Sequence, residues 1–89
     1  MRLDKYLKVS RIIKRRSVAN EACALGHVTV NEKVAKPSAE VKPGDIISVR
    51  FGSKLLRAEV LDVRETVRKE EAENMYRILT DTLNEPGAN

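Results

Sequence analysis

Apolar residues in the first part of the chain recur at helical spacing. Leu3, Tyr6 and Leu7 form one such series, and Val18, Ala22 and Leu25 a second. Two short helices are expected. The first runs from about Leu3 to about Val9. The second opens after Ser17, whose hydroxyl is placed to cap the amide of Ala19 or Asn20. Gly26 supplies its left-handed stop, and Ile12 and Ile13 anchor the joint between the helices. After Gly26 the period changes to two. Val28-Thr29-Val30 and Lys33-Val34-Ala35 predict a tight hairpin with Asn31-Glu32 at its tip. A two-residue hairpin prefers Gly where Glu32 stands, so either the turn is not type I′ or Glu32 is mildly strained.

Pro43-Gly44 fits a type II turn. Ile46 to Phe51 is a strand, Gly52-Ser53 a turn, and Leu55 to Val63 another strand with Leu56, Ala58 and Val60 on one face. Ala72, Met75, Tyr76 and Leu79 then predict a C-terminal helix over residues 68–83 that packs back on the sheet. Residues 84–89 are expected to be a flexible tail. The fold class is α+β: two N-terminal helices on a small antiparallel sheet, with a third helix at the end. Residues 1–67 form the main unit.

Charge changes this picture. The 89 residues carry a net +4, but residues 1–16 hold seven basic groups against Asp4 alone, and residues 52–69 hold five against three. Residues 17–51 balance, and residues 70–89 are acidic, one basic group against five. A basic end on a folded domain marks a surface for a polyanion. The cations Arg2, Lys5, Lys8, Arg11, Lys14, Arg15 and Arg16 share the two helices with the core stripe. The start of the second helix adds free N–H groups and a positive dipole beside Lys14-Arg15-Arg16, which suits a phosphate. Asp4 has two open roles: stabilising the first helix through its dipole and Lys8, or orienting a neighbouring Arg.

Other chemistry is sparse. One cysteine permits no intrachain disulfide, and Cys23 reads as a small core residue. His27 is the single histidine, so neither a metal site nor a cofactor is expected. No catalytic domain fits in the length, and the scattered Ser, His and acidic residues show no triad spacing; the chain is not expected to be an enzyme. No apolar run approaches a membrane span, and the charged N-terminus lacks a signal-peptide core. A cytoplasmic location without a membrane partner is expected. Aromatics are few: Tyr6, Tyr76 and Phe51. Single-strand binders need stacking platforms, so dense Arg and Lys on helices point to the backbone and shape of folded RNA.

Several ordered stretches carry a resemblance. They are Arg2-Leu3-Asp4-Lys5-Tyr6-Leu7, Lys14-Arg15-Arg16-Ser17-Val18-Ala19, Gly26-His27-Val28-Thr29-Val30-Asn31, Lys36-Pro37-Ser38 and Val41-Lys42-Pro43-Gly44-Asp45-Ile46-Ile47. Across residues 2–50 they resemble the RNA-binding domain named after small-subunit ribosomal protein S-four. Glu32 departs from it, since the family usually has Gly there. The ending Arg68 to Leu79 is similar to that of small stand-alone members serving ribosome-associated quality control.

The resemblance implies RNA binding through Arg2, Asp4, Lys5, Lys8, Arg11, Lys14, Arg15, Arg16, Ser17, Lys36 and Ser38. It further implies a monomer on the large ribosomal subunit, touching large-subunit rRNA and peptidyl-tRNA. There it would support C-terminal alanine tailing by a partner factor that recruits alanyl-tRNA. The alternative is a heat-shock-type rRNA binder acting in ribosome recycling or assembly without a tailing role. A third class, a protein-interaction module built on the acidic C-terminal segment, also fits the charge distribution.

Overall fold

A computed structural model describes residues 1–81; the tail expected over 84–89 lies outside them. Two helices open the chain, α1 (Leu3–Val9) and α2 (Arg16–Ala24). Five strands follow: β1 (Val28–Val30), β2 (Lys33–Val34), β3 (Ile46–Phe51), β4 (Lys54–Val60) and β5 (Tyr76–Asp81). A 3₁₀ helix (Lys69–Met75) precedes β5. The strands form one antiparallel sheet in the order β2-β1-β3-β4-β5.

The first stripe is buried as expected: Leu3, Tyr6 and Leu7 are fully covered and pack with Val28, Val41, Ile47, Val49 and Val60. The Tyr6 hydroxyl donates to the Met75 carbonyl at 2.6 Å, which joins α1 to the far end of the chain. Burial raises the Tyr6 phenol far above its ordinary pKa, so it remains a neutral donor.

The second stripe is a correction. Val18 and Leu25 are exposed, and the face of α2 that enters the core is Ala19 and Cys23. Those two small residues lie one turn apart and let α2 approach α1 closely. Ser17 is a second correction. α2 begins two residues earlier, with Arg15 as its N-cap, and no side chain caps it. The stop is as expected: Gly26 has φ +80, its amide bonds the Cys23 carbonyl, and the His27 amide bonds that of Ala22. These are the two bonds of a Schellman motif.

At the β1–β2 tip, Asn31 and Glu32 have φ of 51 and 71. Both central residues therefore take the positive φ of a type I′ turn, and Glu32 holds a conformation that Gly would adopt without strain. Asn31 secures the tip: its side chain donates to Asp45 and accepts from the Ile46 amide. The Pro43-Gly44 turn closes with the Asp45 amide on the Lys42 carbonyl, and Gly44 has φ +98. On β4, Leu56, Ala58 and Val60 are buried on one face, as expected.

The helix expected over residues 68–83 is the third correction. Helical structure there is 3₁₀ and ends at Met75; the chain then extends as β5 along β4, with an irregularity at Arg57/Ala58. The apolar stripe divides accordingly. Ala72 and Met75 are buried under the 3₁₀ turn, whereas Ile78 and Leu79 stay partly exposed on the strand. β4 has an open edge that needs backbone partners, and Tyr76-Arg77-Ile78-Leu79-Thr80 is rich in strand formers. The segment does pack on the domain, as expected.

Candidate nucleic-acid interface

α1 begins where two backbone carbonyls reach its free amides. Leu3 N–H donates to Ala39 and Asp4 N–H to Pro37, at 2.8 and 3.1 Å. The 36–40 loop, with exposed Lys36 and Ser38, is thereby fastened beside Arg2. Met1 adds to the joint through its amino group on Glu40 and its carbonyl on the Val41 amide.

Asp4 lies at the centre of this corner. The residue is 2% exposed, yet its carboxylate accepts five hydrogen bonds from four residues. The Arg2 guanidinium donates through Nε and Nη2, each at 3.2 Å. Asn20 Nδ2 donates at 3.3 Å, Arg16 Nη2 at 3.5 Å and the Lys5 amide at 2.7 Å. Burial alone would raise the Asp4 pKa. The bonds from Arg2 and Asn20, the Arg16 charge and the Lys5 amide reverse this and hold the carboxyl below its ordinary value.

Arg2 and Arg16 remain about half exposed, at 51% and 48%. Both roles open to Asp4 are visible: it stands in the first turn of α1 and accepts the Lys5 amide, though it does not pair with Lys8, and it bonds Arg2, the N-cap of α1, and Arg16, the first residue of α2. The two guanidiniums share one carboxylate. Asp4 itself is too buried to meet a ligand. Asn20, which sequence reasoning missed, sits one turn after Arg16 on α2; that i, i+4 spacing was the available signal.

α2 contributes an electropositive start. Arg15 is its N-cap, Arg16 and Ser17 follow, and its first turn contains no acid. Cations there oppose the helix dipole, and no side chain covers the first amides. Local stability would favour Ser or Asp at the cap. Such a helix start suits an anion.

The remaining cations lie at the other end of α1. Arg11 follows the helix with φ +64, and its amide bonds the Lys8 carbonyl. Lys8, Arg11 and Lys14 line a cleft together with Val9, Glu65, Thr66 and Val67. None of these three cations has an acidic partner among the described residues. Lys5 does: its Nζ meets Glu65 Oε1 at 2.7 Å. Glu65 gave no signal in the sequence, because it reaches α1 from sixty residues away.

The second basic region is placed elsewhere. The Arg50 amide bonds the His27 carbonyl, past the C-terminal end of α2. Arg50 and Lys54 thus lie at the opposite end of α2 from Arg15 and Arg16. Arg64 is held by Asp62 and approaches Glu71. Cys23 is buried, and burial followed by the nearby Asp4 charge pushes its thiol up to about 11. It is an unreactive core residue. Among the described residues no cluster of His, Cys, Asp or Glu could hold a metal ion, and no helix is long and apolar enough to cross a membrane.

The family model for the S4 domain matches residues 1–47, the span that holds α1, α2, the 36–40 loop and every cation around Asp4. The chain belongs to the S4 domain family. Over 78 residues it is 56% identical to the RQC P-site tRNA stabilizing factor of Halalkalibacterium halodurans, covering 88% of this chain and 89% of that protein. It is 53% identical to the factor of the same name from Bacillus subtilis, over 91% and 94%. Among solved structures, the trimeric structure of Vibrio cholerae heat shock protein 15 superposes with a TM-score of 0.82 at 34% identity, covering 88% of this chain and 80% of the other. These matches extend through β4 and β5, so the S4 domain and the strand that completes its sheet form a shared unit.

Proposed function

We propose that this chain is a ribosome-associated quality control factor that binds large-subunit rRNA and peptidyl-tRNA on stalled large subunits and so supports C-terminal alanine tailing. One observation carries the RNA-binding part: Asp4 gathers Arg2, Arg16 and Asn20 into a fixed, half-exposed pair of guanidinium forks. Such forks suit phosphate oxygens. The relatives named RQC P-site tRNA stabilizing factor support the choice of tRNA and of quality control.

In this reading Arg2, Arg15, Arg16 and Ser17, with Lys36 and Ser38 on the adjoining loop, meet RNA at one end of α1. Lys5, Lys8, Arg11 and Lys14 meet it along the same helix and past its end. Asp4 acts through the arginines. The protein contributes position and charge and performs no catalysis. A single chain in the cytoplasm is the working unit, and the tailing reaction belongs to a separate factor on the same subunit.

The test is genetic. Deleting the gene should reduce alanine tails on stalled nascent chains, and Arg2→Ala or Arg16→Ala should mimic the deletion. Normal tailing in the deletion strain would replace this reading with the plain rRNA binder of ribosome recycling or assembly.

A further inference from the structure

The cleft past the end of α1 contains a group that phosphate binding does not explain. Lys8, Arg11 and Lys14 line it with cations, and Glu65, paired with Lys5, lines the same cleft with a carboxylate. A carboxylate repels phosphate at short range, so its presence there would weaken a surface that reads phosphates alone. Lys5 engages only Oε1; Oε2 has no partner among the described residues. The bond and charge of Lys5 also hold the Glu65 carboxyl below its usual range, which makes it acceptor-only near neutral pH.

The cleft thus combines cationic donors with a carboxylate oxygen, Oε2, that Lys5 does not engage. A ligand that satisfies both carries a phosphate and, nearby, a hydroxyl or amino donor. Val9 and Val67 provide no aromatic platform for a base, and the donor of RNA that lies nearest its phosphate is on the sugar. In a ribonucleotide the 2′-hydroxyl lies beside the 3′-phosphate and can donate.

Arg11 adds an independent sign of use. Its positive φ is one that Gly would adopt without strain. A long cation is kept there at a backbone cost, and its side chain lines the cleft.

We propose that this cleft is a ribose-reading site: Lys8, Arg11 and Lys14 take a backbone phosphate and Glu65 accepts the 2′-hydroxyl of the adjoining nucleotide. The inference rests on the RNA-binding reading above and adds selection of RNA over its 2′-substituted forms.

The experiment compares two probes, an all-ribose stem–loop RNA and the same stem–loop with 2′-fluoro at every nucleotide. Fluorine keeps the A-form pucker and cannot donate. The wild type should bind the ribose form more tightly, by roughly tenfold if one charge-assisted bond is lost. Glu65→Ala should bring the ratio close to one, and Glu65→Gln, which keeps an acceptor, should retain part of it. Glu65 is exposed, so neither variant threatens the core. Equal binding of both probes by the wild type would overturn this inference and leave RNA binding standing. A preference that survives Glu65→Ala unchanged, with affinity for both probes raised equally, would show Glu65 to be only a negative charge and would also overturn it. Failure to bind either probe would overturn both readings.

Discussion

Asp4 joins a stability argument to a binding argument through one carboxylate. Removing its charge leaves Arg2 and Arg16 without their common anion and puts an NH2 donor where one carboxylate oxygen accepted. Asp4→Asn should cost about 1–3 kcal/mol of folding stability. Its effect on RNA affinity should exceed that of Asn20→Ala, because two forks lose their orientation. Chemical denaturation and fluorescence-detected binding on the same protein check both. The pH dependence follows in sign. The folded-state pKa of Asp4 is depressed, so its contribution is present above the unfolded value of about 3.9 and is lost as pH falls through the folded value. Acid denaturation below about pH 4 should flatten in Asp4→Asn; an unchanged acid limb would remove Asp4 from this role.

Arg16→Ala should weaken RNA binding with the fold intact, since half of that side chain is in solvent. The slope of log affinity against log salt should shrink by about one unit or less. Arg2, Arg16 and their neighbours were legible as a basic series in the sequence. Their organisation by Asp4 and Asn20 was not, because it depends on how closely Ala19 and Cys23 let α2 approach α1.

The short elements show why helix and strand could be read unequally. α1 kept the bounds its periodicity predicts, because its stripe is the core. α2 did not bury its most apolar stripe: it turns Ala19 and Cys23 to the core and leaves Val18 and Leu25 exposed. The segment after Arg68 presents a helical stripe, but the unpaired edge of β4 recruits Tyr76–Asp81 as a strand. Local periodicity cannot register a partner so distant in sequence. Tyr6→Phe should then cost about 1 kcal/mol, by removing the bond that fastens the Met75 carbonyl to α1. The turn after α1 makes the opposite prediction. Arg11→Gly relieves a positive φ and should leave stability unchanged or raise it by up to about 1 kcal/mol, while RNA affinity falls. Thermal melts and binding on that one variant separate backbone strain from ligand contact.

The arrangement of charge over the protein gives the account its geometry. The Asp4-centred arginines and the cleft cations occupy the two ends of α1, a helix of seven residues and thus roughly 10 Å long. Arg50 and Lys54 lie beyond the far end of α2. Spaced cations of this kind suit contact with more than one RNA segment, such as rRNA and a tRNA held beside it. A protein that uses such a surface on the face between ribosomal subunits would be excluded once the small subunit covers that face. The most direct measurement is sucrose-gradient sedimentation of the tagged protein from cells with stalled translation, wild type beside Arg16→Ala. The account predicts that the wild type co-sediments with free large subunits carrying peptidyl-tRNA and that Arg16→Ala shifts to the top of the gradient. Wild-type protein found chiefly on whole ribosomes, or an Arg16→Ala profile identical to wild type, would contradict it.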